Sequence, residues 1–387
     1  MELNRIYNEN CLDTMARMPG GFLQCVVTSP PYYGLRSYKT EPQIWETTAA
    51  QDFCWFGSPG EVSKKHIWGK ELPFSKQDDR TAEQKIQQGA TVGSNQKFND
   101  ENTKGNSGNF CKRCNSWRGE LGLEPTFQLY ISHLLQIFAE VKRVLKPDGT
   151  VFVNLGDSFA GSGKGIGDKN GSHGKSVFTD DHISKTDWSQ ISVRAKSLMN
   201  IPHRFFIGMT DELQMIQRNN INWWKRACMP SSATDRWTVD FESIGFFTKN
   251  AKYKFNQQIE AFQSSASEVA RQYSNGFKET EFATNKQYSG GVGYGASGRN
   301  ARTTWDIGFE PSGDEHYASY PTKLVERMIL AGTDENDIVY DPFGGTATTA
   351  LTAHRLGRQW ICSELQPNYV DISNQRLAPH LAQAGLF

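Results

Sequence analysis

The chain lacks any run approaching the roughly 18 consecutive apolar residues that a membrane-spanning helix requires, and Met1–Arg5 is not a basic segment leading into an apolar one. These absences predict neither a membrane helix nor a secretory leader, and they make the cytoplasm the expected compartment. Net charge is also missing: 42 Lys and Arg offset 42 Asp and Glu over 387 residues. A histone-like polycation is therefore excluded, whereas a local basic face is not. Cysteine is sparse and odd in number, seven in all, which argues against a secreted disulfide framework. Only 37% of residues are hydrophobic, so a core carrying long polar loops is expected. At roughly 150 residues per domain, the length suits two to three domains or one large domain with insertions.

What is present divides into regular and irregular stretches. Residues 22–28 are apolar and β-rich and stop at Ser29-Pro30-Pro31, which reads as a buried strand ended by prolines. Residues 39–118 are irregular, with a Gln/Asn/Gly/Lys-rich section at 76–109 that has no period. Phe127, Ile131, Leu134, Phe138, Val141 and Leu145 recur at helical spacing after an N-cap at Thr126, and Pro147-Asp148-Gly149 reads as the turn that ends this helix. A strand is predicted over 150–155, a solvated loop over 160–187, a helix over about 194–218, a turn at Trp223-Trp224 and paired strands over 236–248. Towards the C-terminus, helices at 321–331, 346–356 and 367–381 alternate with strands at 338–341 and 359–364. Such alternation implies a parallel, doubly wound sheet.

Two motifs carry chemistry, each following a strand. Asp341-Pro342-Phe343-Gly344-Gly345-Thr346-Ala347-Thr348-Thr349 opens a helix through a glycine turn, where a ligand can approach the backbone and free N–H groups. Glu364, at the next strand end, lies 20 residues after Gly344, where a nucleotide ribose is held in comparable folds. Thr28-Ser29-Pro30-Pro31-Tyr32-Tyr33 presents a hydroxyl, a fixed carbonyl and a ring, a suitable clamp for a planar base bearing an amino group.

Together the two motifs resemble the amino-methylating DNA methyltransferases, which make N4-methylcytosine or N6-methyladenine. The tetrapeptide at 29–32 precedes the segment at 341–349, an order similar to the permuted β group of that family. The resemblance extends through Leu145–Asp157, Trp224–Glu242 and His316–Lys323. It implies a Rossmann-like, circularly permuted α/β methyltransferase fold with inserted loops and a target-recognition region. Residues 1–38, 119–250 and 304–387 would form the methyltransferase domain, 39–118 an insertion, and 251–303 the recognition region. It further implies that Ser29, Pro30, Pro31 and Tyr32 are catalytic. S-adenosylmethionine would be held by Asn10, Cys11, Ser319, Tyr320, Pro321, Asp341, Pro342, Phe343, Gly344, Gly345, Thr346 and Glu364. Where the family often has Gly-Asp, this chain has Glu9-Asn10-Cys11. The partner implied is double-stranded DNA, in a restriction–modification setting that leaves room for a homodimer and a cognate restriction endonuclease. Ser at position 29, in place of Asp, favours cytosine N4, with adenine N6 as the alternative. A non-catalytic DNA-binding protein on the same fold is the alternative from another class. No Pro-Cys pair exists, so C5-cytosine methylation is excluded.

Other segments carry separate expectations. Cys111-Lys-Arg-Cys114 has zinc-knuckle spacing, and Cys54 and His66 would complete four ligands for one structural zinc. Gly161–Gly167 looks phosphate-binding, but Lys164 is followed by Gly165, which fails the P-loop pattern. Residues 251–303 hold seven Lys/Arg against four Glu with tyrosines interleaved. Arg299 and Arg302, beside the glycine run at 290–298, are the expected DNA contacts.

Overall fold

The computed structural model describes residues 1–35, 37–47, 54–56, 63–64, 66–68, 109–160, 193–194, 196–260, 299–308 and 320–383. Eight strands form one sheet: β1 (Arg5–Tyr7), β2 (Leu23–Thr28), β3 (Leu145–Leu155), β4 (Ile216–Trp224), β5 (Phe241–Thr248), β6 (Thr304–Asp306), β7 (Ile338–Asp341) and β8 (Gln359–Ser363). Their order across the sheet is β1-β8-β7-β2-β3-β5-β4-β6. Only β5 is antiparallel to its neighbours β3 and β4; the other pairings are parallel. The all-parallel expectation is corrected at that one strand.

Helices cover both faces, which is what a nearly parallel sheet requires. On one side α1 (Cys11–Ala16), α2 (Phe127–Val144) and α3 (Ile201–Asp211) pack Met15, Phe138 and Phe205 onto Val26, Val151 and Val153. On the other, α4 (Thr322–Gly332), α5 (Thr348–Arg355) and α6 (Pro367–Gln383) bring Leu324, Ala350 and Leu377 against Cys25, Val27 and Phe152. Cys25, Val26 and Val27 thus alternate between the two cores, the two-residue period of a strand buried on both faces. This is the α/β fold expected from the sequence.

The α2 helix begins where its cap predicts: the Thr126 hydroxyl accepts from Leu129 N. It ends at Val144, and the chain runs directly into β3. The Pro147-Asp148-Gly149 turn is instead an irregularity in the strand pairing, which jumps from Leu145 opposite Leu23 to Thr150 opposite Cys25. The helix expected over 194–218 is cut short, because Asn200 is left-handed before Pro202 and Gln214 is left-handed before β4. Trp223 and Trp224 end a strand and do not form a turn. The pair of strands expected over 236–248 is one strand, β5, paired with β3 on one side and β4 on the other. Two short antiparallel pairs lie apart from the main sheet among the described residues, 43–45 with 117–119 and 55–56 with 63–64. Most of 76–109, 160–187 and 261–298 lies outside the described residues.

Phe138 is fully buried, with its ring centroid 5.1 Å from that of Phe205. Phe138→Ala should lower the unfolding free energy by about 3–5 kcal/mol, read from urea denaturation. A loss below about 1 kcal/mol would mean that this face of the sheet collapses around the gap.

Candidate functional site

Parallel strands place their carboxyl ends on one edge of the sheet, where ligands bind in open α/β folds. Both sequence motifs lie there, on the adjacent strands β2 and β7. They are joined by the Asp341 carboxylate, 1% exposed. Its Oδ1 accepts from Thr28 Oγ1 at 2.7 Å and Phe343 N at 3.0 Å. Its Oδ2 accepts from Thr349 Oγ1 at 2.6 Å and Tyr320 OH at 3.0 Å. Burial pushes this carboxyl above its ordinary value, and the four hydrogen bonds oppose that push.

Beyond Asp341 the glycine turn closes against β8. A Cβ on Gly344 would lie 2.9 Å from Cys362 Cβ, and Gly345 is left-handed. Glu364 accepts from Gly345 N and Gln366 N, both at 2.8 Å, while its own N–H reaches Tyr7 O on β1. Burial pushes its carboxyl up to about 7. From α6, Ser373 donates to Gly345 O and Arg376 to Thr346 O, each at 2.9 Å, so the turn is held from outside. Asn10 lies past β1 on the same edge, where it caps α1 by accepting from Leu12 N at 2.9 Å and donates to Gln43 Oε1 at 2.8 Å. Cys11 is buried, which pushes its thiol up to about 12. Pro321 is the N-cap of α4. Ser319 lies outside the described residues.

On the other side of Asp341, Tyr32 turns its hydroxyl inward. It donates to Glu242 Oε2 at 2.7 Å and accepts from Asn154 Nδ2 at 2.8 Å and Ser29 Oγ at 3.2 Å. Asn154 Nδ2 also donates to Glu242 Oε2 at 2.7 Å, and Lys225 pairs with Glu242 Oε1. Burial, and then the neighbouring Glu242, push the Tyr32 phenol well above its ordinary value, so it stays a proton donor. Asn154 Oδ1 is buried and accepts no hydrogen bond from the described residues. The Pro31 carbonyl accepts from Tyr130 OH at 2.7 Å. Gly156 and Gly122 clear space for the loop: a Cβ on the first would lie 2.6 Å from the Tyr32 ring, and one on the second 3.0 Å from Tyr32 O.

Asn154, Glu242 and Lys225 were not singled out in the sequence. Their signal was weak: a polar residue inside an apolar strand end, and an acid and a lysine flanking one connection. The edge therefore reads, from β1 to β4, as Asn10, Glu364, the glycine turn, Ser29–Tyr32, Asn154, Glu242 and Lys225.

The sequence profile of the DNA methylase family, whose members modify amino groups at N6 or N4, matches residues 23–375. The chain belongs to this family. The methyltransferase is 26% identical over 382 residues to the Type II methyltransferase M.Cfr9I of Citrobacter freundii, spanning 97% of this chain and 89% of that protein. It is 27% identical over 260 residues to M.SmaI of Serratia marcescens, spanning 67% and 77%. The fold matches that of the cytosine-N4-specific PvuII DNA methyltransferase with a TM-score of 0.51, at 17% identity over 96% of this chain and 85% of that one.

Away from this edge, Cys54, His66, Cys111 and Cys114 come together, with one donor atom from each within 4.8 Å of the others. Cys54 and Cys111 sulfurs are 3.5 Å apart, and Cys114 Sγ is 3.4 Å from His66 Nδ1. His66 Nε2 faces Glu46 Oε1 at 3.4 Å, the carboxylate partner that a metal-bound imidazole commonly has. The donor set fits a closed zinc site. Arg302 pairs with Glu260 and lines a cleft with Trp224, Thr304 and Asp306. Arg299 belongs to a short strand pair, 259–260 with 299–300. No described helix of the methyltransferase is long and apolar enough to cross a membrane.

Asp341→Asn keeps the shape but turns an N–H₂ toward donors. The variant should lose about 1–3 kcal/mol, seen as a lower midpoint in thermal unfolding. An unchanged midpoint would show that the junction tolerates the reversed polarity.

Proposed function

We propose that the methyltransferase moves a methyl group from S-adenosylmethionine to the exocyclic amino nitrogen of a base turned out of duplex DNA, with cytosine N4 favoured over adenine N6. The observation that carries this reading is the Thr28–Asp341 hydrogen bond, because it sets Ser29–Tyr32 beside the 341–349 turn. Asp341, the turn Pro342–Thr346, Tyr320 and Pro321 would hold the cofactor, with Glu364 taking its ribose hydroxyls and Asn10 and Cys11 closing the far end. The sulfonium supplies an electrophilic methyl group when bound. The chain's own task is then positioning. Ser29 Oγ and the Pro30 carbonyl accept the amino hydrogens and aim the nitrogen lone pair, and the Tyr32 ring stacks on the base, a contact worth about 1–3 kcal/mol. Ser29 carries the preference for cytosine. Arg302, which lines the cleft with Trp224, and Arg299 are proposed to meet the DNA. The Type II names of the relatives support a restriction–modification setting with a cognate endonuclease. Cys54, His66, Cys111 and Cys114 are proposed to hold one structural zinc.

Mass spectrometry of nucleosides from DNA incubated with enzyme and S-adenosylmethionine should show N4-methylcytosine, and Pro31→Ala should reduce it by orders of magnitude with cofactor affinity retained. N6-methyladenine would reassign the base. Full activity in Pro31→Ala would remove 29–32 from the catalytic role.

Metal analysis of protein prepared without chelator should find about one zinc per chain, lost in Cys111→Ser. Metal-free wild-type protein would end the zinc assignment.

A further inference from the structure

The connection from β4 to β5, residues 225–240, carries apolar side chains that the described fold does not cover. Its root is closed by Lys225 N donating to Asp240 O at 2.7 Å, and its outer part by Ser231 N donating to Thr238 Oγ1 at 3.2 Å. Trp237 is 93% and Met229 90% exposed, the two most exposed large apolar side chains among the described residues. Both lie on this one connection, and an indole left almost wholly in water keeps its full apolar surface for a partner.

The loop is fastened beside Tyr32 at two points. At the root, Glu242 accepts from Tyr32 and pairs with Lys225. Next to Trp237, the Arg236 guanidinium lies 3.8 Å from the Phe159 ring centroid. Phe159 continues the segment in which Gly156 lies against the Tyr32 ring and Ser158 Oγ donates to Tyr33 O at 3.1 Å. An exposed indole therefore sits on a loop tied to the end of the sheet where the target base is read to bind. Lys225 and Arg226 are held in ion pairs with Glu242 and Asp306, so Arg236, beside Trp237, is the cation of this loop that suits a phosphate.

We propose that Trp237, with Met229 on the same loop, is the wedge that enters the DNA stack as the target base leaves it. This rests on the reading of Ser29–Tyr32 as the target-base end of the site. Extruding a base breaks its pair and both stacking contacts, and a flat apolar side chain in the gap restores part of what is lost. The interior of the duplex removes the indole from water, which the described fold does not do. The occupant of this surface is duplex DNA.

The test compares single-turnover methylation of two oligonucleotides carrying the enzyme's own site, mapped beforehand by methylation sequencing. One is fully paired, and the other has the target base mismatched, so that extrusion is already easy. Trp237→Ala should be slower by about ten- to a hundredfold on the paired duplex and close to wild type on the mismatched one; Trp237→Phe should retain most of the rate. An unchanged rate on paired DNA overturns the wedge, as does an equal loss on both duplexes. Dissociation of a dimer in Trp237→Ala, seen by size-exclusion chromatography with light scattering, would assign the indole to a second copy and also overturns it. Pro31→Ala is expected to be inactive on both duplexes. Activity there would show that the target-base end is misassigned, a failure distinct from that of the wedge. Trp237 is exposed, so its replacement leaves the fold intact.

Discussion

One buried carboxylate organises the edge of the sheet at which both sequence motifs of this methyltransferase meet. Asp341 ends the strand that opens the glycine turn, and it takes a hydrogen bond from Thr28 at the end of the neighbouring strand, 313 residues away in sequence. Its other donors come from the turn itself, from the first turn of α5 and from Tyr320 ahead of α4. A charge removed from water is tolerated only when its lone pairs are satisfied. That requirement holds the carboxyl ends of β2 and β7, and the loops leaving them, in one relative position.

The reversed strand β5 extends this logic to the other half of the edge. Because it runs against its neighbours, its beginning, not its end, faces the site. Glu242 is thereby brought from the N-terminal side of a strand to meet Tyr32, Asn154 and Lys225. The same reversal creates the 225–240 connection, since two adjacent antiparallel strands open their joining loop at this edge. The side-chain network and the exposed loop have one topological origin.

The 39–119 stretch is tied to the site at its near end. Its strand pair 43–45 with 117–119 stacks both Trp45 and Trp117 on the His133 ring, with centroids at 4.5 Å and 5.5 Å. His133 bonds Glu124, which also accepts from Gly122 N beside the Pro31–Tyr32 loop. The cysteine and histidine cluster sits at the outer end of this chain of contacts, with Thr47 donating to Cys114 O at 2.6 Å.

Much of the fold was legible in the order of residues. Strand β2, helix α2 with its Thr126 cap and the alternating elements from 321 to 381 follow from local periodicity and capping, which act within a few residues. So do the two motif turns, since proline and glycine restrict or free the backbone where they stand. The direction of β5, its partner β4 and the shortened helix before them were not legible, because pairing direction is a choice between distant segments that local patterns leave open. Neither were Asn154, Glu242 and Lys225, ordinary polar residues whose importance lies in where the sheet brings them. The sequence by itself determined which residues sit at the turns of the glycine and proline motifs. Only the tertiary structure decided that those turns meet, through a buried carboxylate whose four donors come from three separate stretches of chain.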